Sequence, residues 1–153
     1  MRSQKNPLST SQKAQIVKIW NLEYPESLNF SNAEGFDQYL MDLSDPTHYI
    51  YESESGEPMA WACKFIRDND RWFAIILDKK IQGKGIGTRL LNKLKENECI
   101  LNAWVIDKKG LKKLDGKHYK SPLKFYLKNG FVVDHDTRLE NEKLSAVKIT
   151  WKP

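Results

Sequence analysis

Apolar residues recur along this chain with two different periods, and the switch between them marks out its elements. Between Ser9 and Asn21, the positions Ala14, Ile16, Val17, Ile19 and Trp20 form a helical stripe behind a Ser/Thr-rich start. Tyr24, Pro25 and Glu26 break it. Asn32 is a capping residue for a second helix carrying Phe36, Tyr39, Leu40 and Leu43, which ends before Asp45 and Pro46.

The pattern then becomes strand-like. His48 to Glu52, Pro58 to Ile66 and Arg71 to Leu77 are separated by turns at Ser55-Gly56 and Asp68-Asn69-Asp70, and predict an antiparallel meander. Trp72 to Leu77 is apolar at every position, as expected of a central strand covered on both faces. Ile86, Leu90, Leu91 and Leu94 mark an amphipathic helix running to about Asn97, and Ile100 to Ile106 the following strand, which makes a right-handed crossover. Ser121-Pro122 opens a further helix that Gly130 ends. Phe131 to Leu139 and Lys143 to Trp151 alternate as two strands around a turn near Asn141. An α+β fold with a mixed sheet follows.

With 153 residues and no repeat or low-complexity tract, the chain reads as one domain spanning 1–153. The apolar run Trp72 to Leu77 is far shorter than the ~20 residues of a membrane span, and Met1 to Lys13 lacks a secretory apolar segment. A soluble, cytoplasmic protein without membrane association is expected. Cys63 and Cys99 form no metal or disulfide pattern and read as reduced, buried side chains.

Charge adds one feature to this picture. The net charge is +5, and Lys108 to Lys128 holds eight lysines against the single acid Asp115. Such a patch suits phosphate, in nucleic acid or in a phosphorylated cofactor, and equally suits a solvated surface.

The chemistry concentrates in Gln82-Gly83-Lys84-Gly85-Ile86-Gly87, between the central strand and the amphipathic helix. Glycines there allow close backbone approach and leave the amides of a helix start pointing outward. No Ser, Thr, Asp or Asn is placed to cap them, and Lys84 and Arg89 put positive charge at the positive end of the helix dipole. A bound polyanion resolves both features. Thr88 stands where the dinucleotide fingerprint needs glycine, and Gly85 follows Lys84 where a Walker loop needs Ser or Thr, so neither motif fits.

Gln82, Gly85 and Gly87 resemble the acetyl-coenzyme A signature of the GNAT (GCN5-related N-acetyltransferase) superfamily, and Phe125-Tyr126-Leu127-Lys128-Asn129-Gly130-Phe131 resembles its second signature. The resemblance spans roughly residues 46 to 151 in element order. It implies a GNAT-like fold: a central mixed, mostly antiparallel β-sheet flanked by about four helices. It also implies acetyl-coenzyme A as co-substrate, without a metal. The amides of Gly83, Lys84, Gly85, Ile86, Gly87 and Thr88 would hold the pyrophosphate. Ile75, Ile76 and Leu77 would run beside the pantetheine arm, with an amide near Leu77 for the thioester carbonyl.

By the same resemblance Tyr126 is the catalytic residue that protonates the departing thiolate. Two positions depart from the pattern: Tyr119 stands where many relatives carry Asn, and Arg71 where a histone-acetylating relative carries its catalytic Glu. Acetyl transfer needs an oxyanion donor, a proton acceptor and a proton donor. Glu23, Glu26, Glu52 and Asp78 are candidate acceptors between which the sequence does not choose, as is a water chain. His48, His118 and His135 lack ligand spacing.

Trp20, Tyr24 and Phe30 are candidate pocket aromatics in the segment Trp20 to Phe36 that the family uses for substrate choice. The acceptor is read as a primary amine, on a small molecule or a protein amino terminus. Two rival functions use the same residues: a silent acetyl-coenzyme A sensor, and a nucleic-acid binder built on Lys108 to Lys128. The second is disfavoured because it leaves the glycine turn unexplained.

Overall fold

The computed structural model describes residues 1–153. Seven strands form one sheet in the order β1-β2-β3-β4-β5-β7-β6. The strands are β1 (Arg2–Gln4), β2 (Ser44–Glu52), β3 (Pro58–Arg67), β4 (Asp70–Leu77), β5 (Leu101–Ile106), β6 (Val132–Glu140) and β7 (Ser145–Trp151). The helices are α1 (Thr10–Glu23), α2 (Ala33–Met41), α3 (Ile86–Lys95) and α4 (Leu123–Lys128). No helix is long and apolar enough to cross a membrane.

Strand alternation divides the core in two. Ala60 and Ala62 of β3, with Phe73 and Ile75 of β4, face Leu90, Leu91 and Leu94 of α3 and Tyr126 of α4. Trp61, Cys63 and Phe65, with Trp72 and Ile76, face Ile16, Ile19 and Trp20 of α1 and Phe36 of α2. The uninterrupted apolar run of β4 is thereby explained: one half of its side chains serves each layer.

The β2-β3-β4 meander is antiparallel, β4 is the fourth of seven strands, and β5 joins it in parallel through α3, all as expected. The differences are local. Arg2–Gln4, read as a plain terminus, pairs with His48–Ile50 as an edge strand. The second helix stops at Met41, and β2 begins at Ser44, earlier than His48, because Asp45 takes a positive φ beside an irregular register. Leu43 is therefore core from a connection and not from a helix. Pro122 occupies the position before α4 and supplies no side-chain cap, while Ser121 Oγ accepts from Leu123 N at 3.3 Å. Cys63 is buried, but Cys99 is exposed beyond the end of α3, which corrects its reading as a core residue.

Inside the α1/α2 layer, His48 is 4% exposed and its Nδ1 accepts the Trp61 indole N–H at 3.2 Å. Burial lowers its pKa from 6.5 to about 4. The unfolded chain binds this proton near pH 6.5 and the folded chain only near 4. Stability is therefore complete above pH 6.5 and drains as pH falls toward 4. Urea unfolding at pH 5 should give a stability about 2 kcal/mol below that at pH 7, and His48→Gln should flatten the difference. An unchanged difference in the variant would remove His48 as its source.

Candidate active site

The site begins where the sheet opens. β4 and β5 share one partner pair, Trp72↔Asn102, and none further toward Leu77 and Ile106. Fully buried Asn102 ties the closed end: its Nδ2 donates to Arg71 O at 3.1 Å, and its Oδ1 accepts from Thr150 Oγ1 at 2.7 Å. The N–H of Asp78 bonds Met59 O at 2.8 Å, so alternation places the even-numbered backbone groups of β4 on the β3 side. The odd-numbered groups face the opening. There Ile75 O accepts from the Tyr24 hydroxyl at 3.1 Å and Leu77 O from Gln82 Nε2 at 3.0 Å, which directs the Leu77 amide to the same side. Ile76 instead turns its side chain to the α1 layer.

Past Leu77 the chain turns sharply. Asp78 Oδ1 caps a short 3-10 turn, Lys79–Ile81, and buried Ile81 anchors it. Gly83 and Gly85 then adopt φ of 73° and 80°, conformations that other residues rarely take, with open space where a side chain would project. Gly85 is the residue before α3 and offers no side-chain cap. The six amides from Gly83 to Thr88 donate to no acceptor in the protein; only Arg89 N closes back, onto Gly85 O at 3.1 Å. With no acid in the first turn and Lys84 and Arg89 exposed beside it, the chemistry of this turn suits an anion. Gly87 has a packing use besides the phosphate contact expected of it. A Cβ there would stand 3.0 Å from the Phe125 ring, so its absence lets α3 pack on α4.

Across the opening, Tyr126 is 7% exposed and packed among Phe73, Phe125 and Phe131, with ring centroids 5.3 to 6.0 Å away. Its hydroxyl makes no hydrogen bond within the protein, yet is not sealed from solvent. Burial, with Tyr24 and Tyr119 adding to it, holds the phenol protonated well above its ordinary pKa of 10. Tyr119, at the position where an Asn was expected, is itself raised by burial and by Tyr24. Three neutral phenols thus share this mouth.

Of the four candidate acids, one reaches it. Glu23 ends α1, its side chain 12% exposed, with Oε2 accepting from Gln82 Nε2 at 3.0 Å and lying 3.7 Å from Lys113 Nζ. Glu52 is paired with Arg2, Asp78 is occupied as a cap, and Glu26 is exposed on the turn after α1. Trp20, Tyr24 and Phe30 pack together at 4.5 to 4.9 Å within the α1/α2 layer, which makes them core, apart from the Tyr24 hydroxyl. No local pattern signals the Tyr24 and Asn102 contacts, which depend on strand order. Two cavities of about 490 and 470 Å³ lie elsewhere, between α1 and the Ser55-Gly56 turn and between Ser27, Leu111 and Glu140–Ser145.

A family model for an acetyltransferase (GNAT) domain matches residues 44–133, which hold β2 through the glycine turn to the start of β6. The chain belongs to the GNAT family. Among curated proteins none matches it by sequence. Among solved structures, a ribosomal-protein-alanine N-acetyltransferase from Brucella melitensis has a TM-score of 0.66 at 14% identity, covering 100% of both chains. A GNAT-family acetyltransferase from Staphylococcus aureus gives 0.66 at 15%, covering 99% of each. A spermidine N-acetyltransferase variant from Vibrio cholerae gives 0.62 at 15%, covering 99% of this chain and 95% of that one. At such identities the likeness is one of fold. The GNAT assignment also clarifies Arg71, where one relative carries its catalytic Glu: here it bonds Asp45 at 3.2 Å and reaches Glu98 at 3.5 Å, a structural role.

Proposed function

We propose that this GNAT protein is a single-domain (1–153), cytoplasmic N-acetyltransferase that uses acetyl-coenzyme A and a primary amine of a small molecule or a protein amino terminus. The observation carrying this reading is the run of unpartnered amides Gly83–Thr88 beside the open edge of β4. A pyrophosphate matches that run in charge and in acceptor count.

When bound, acetyl-coenzyme A supplies an acetyl group activated as a thioester. The chain's part is to hold the amides of Gly83, Lys84, Gly85, Ile86, Gly87 and Thr88 toward phosphate, and Ile75 to Leu77 along the arm. The Leu77 amide supplies a donor where an acyl oxygen gains charge. Glu23 is the carboxylate placed to take the amine's proton, and Tyr126, kept neutral by burial, is the proton donor.

Acetyl-coenzyme A at a hundred times its dissociation constant should stabilise the protein by about 2.7 kcal/mol, with NAD and ATP far less effective. Gly85→Asp, which adds a negative charge and a side chain at a positive φ, should weaken binding at least about tenfold. Calorimetry showing no binding at millimolar concentrations would end the central reading, while wild-type affinity in the variant would relocate the phosphate site. Thiol release across a panel of amines separates the enzyme from a silent sensor.

A further inference from the structure

Residues 107–122, between β5 and α4, form a lysine-rich strap that lies against the end of α1. Lys112 pairs with His118, Lys117 N donates to Asp115 Oδ1 at 2.9 Å, and Gly116 turns the segment at a φ of 81°. The strap is held by its backbone: Lys113 bridges to Pro25, and Glu26 N donates to Lys112 O at 2.9 Å. This docking carries the Lys113 side chain inward, to 16% exposure, with its ammonium 3.7 Å from Glu23.

That ammonium makes no hydrogen bond within the protein and is not sealed from solvent. Lys64 shows how this same molecule builds a structural lysine: at 10% exposure its Nζ contacts Glu98 at 2.9 Å, Leu94 O at 3.1 Å and Glu96 O at 3.4 Å. Lys113 is placed differently. Its ion-pair partner Glu23 is also held by Gln82, whose amide is bonded to Leu77 O on the open edge of β4. A primary amine is thus delivered, loosely held, to the carboxylate best placed to deprotonate it.

We propose that Lys113 is an internal acceptor, acetylated in cis by an acyl thioester bound at the β4 opening. This rests on the function proposed above. Lys113 Nζ gives one proton to Glu23 and attacks the thioester carbonyl carbon; the C–N bond forms, the C–S bond breaks, the sulfur leaves with the Tyr126 proton, the second proton shed by the nitrogen restores the Tyr126 hydroxyl, and Glu23 releases its proton to solvent. Amine and thioester become amide and thiol, with no other reactant. Acetylated Lys113 carries no charge, so its hold on Glu23 is lost and Glu23 is freed for an external amine, while the backbone contacts to Pro25 and Glu26 keep the strap docked.

The full-length protein incubated with acetyl-coenzyme A should gain one acetyl group, mapped by peptide mass spectrometry to Lys113. Its rate constant should not depend on protein concentration, and should exceed those at Lys112 and Lys117 of the same strap at least about tenfold. Glu23→Gln should slow it by a similar factor. If acetyl-coenzyme A stabilises the protein but Lys113 reacts no faster than Lys112 and Lys117, the proposal fails and the function stands. If acetyl-coenzyme A neither stabilises nor labels, both fail.

Discussion

Lys64→Met is expected to destabilise the protein by about 3 kcal/mol, the largest stability loss anticipated for a single polar substitution. The residue lies on β3 and is 8% exposed, and its ammonium closes the carboxyl end of α3 by donating to Leu94 O and Glu96 O while pairing with Glu98 at 2.9 Å. Methionine preserves most of the stem's packing, so the loss is that of the charge and its donors. It leaves two helix-end carbonyls and a carboxylate, 13% exposed, without their partner. Arg71, 3.5 Å from Glu98, compensates part of this and keeps the value at the low end of the range for broken buried pairs.

A double replacement isolates the cause. Lys64→Met with Glu98→Met removes both charges together, and should recover part of the loss because no ion remains unpaired. Urea unfolding of wild type, single and double variants at pH 7 reads this directly. A double variant less stable than the single one would mean that the pair, and not the orphaned carboxylate, sets the cost. Because α3 starts at the glycine turn, the Lys64 variant should also loosen that turn at the other end of the same helix.

Elements held by their own residues were the legible part of this protein. The β2-β3-β4 meander, the amphipathic α3 and the turn before it follow from period and punctuation, because each is decided within a short stretch of chain. The absent cap at Gly85 was readable for the same reason. Contacts between distant segments were not. Tyr24 on Ile75 and Glu23 on Gln82 are separated by 51 and 59 residues, and exist because α1 ends over the open edge of β4. The four candidate acids looked alike in sequence; only packing sets Glu23 apart. Gly87 reads as a ligand glycine beside Gly83 and Gly85, yet its missing Cβ accommodates Phe125 from a helix nearly forty residues later.

Tyr126→Phe should lower turnover by roughly a hundredfold or more while leaving cofactor affinity nearly unchanged, the effect of removing a positioned general acid. The ring is fixed by Phe73, Phe125 and Phe131, contacts that phenylalanine keeps. The hydroxyl has no partner in the protein, so its removal breaks no internal hydrogen bond and folding stability should barely change. A phenol held neutral well above its ordinary pKa, beside the half-buried Tyr24 and Tyr119 whose phenols burial also raises, is a poor anion and a standing donor. A departing thiolate needs such a donor. A purely packing role predicts the reverse: turnover within about threefold of wild type, once thiol release is established as the slow step, would return the proton donation to water. A fall in turnover accompanied by an equal loss of acetyl-coenzyme A affinity would instead make Tyr126 a binding residue, because a group acting only on the leaving thiolate is felt in the transition state and not before it.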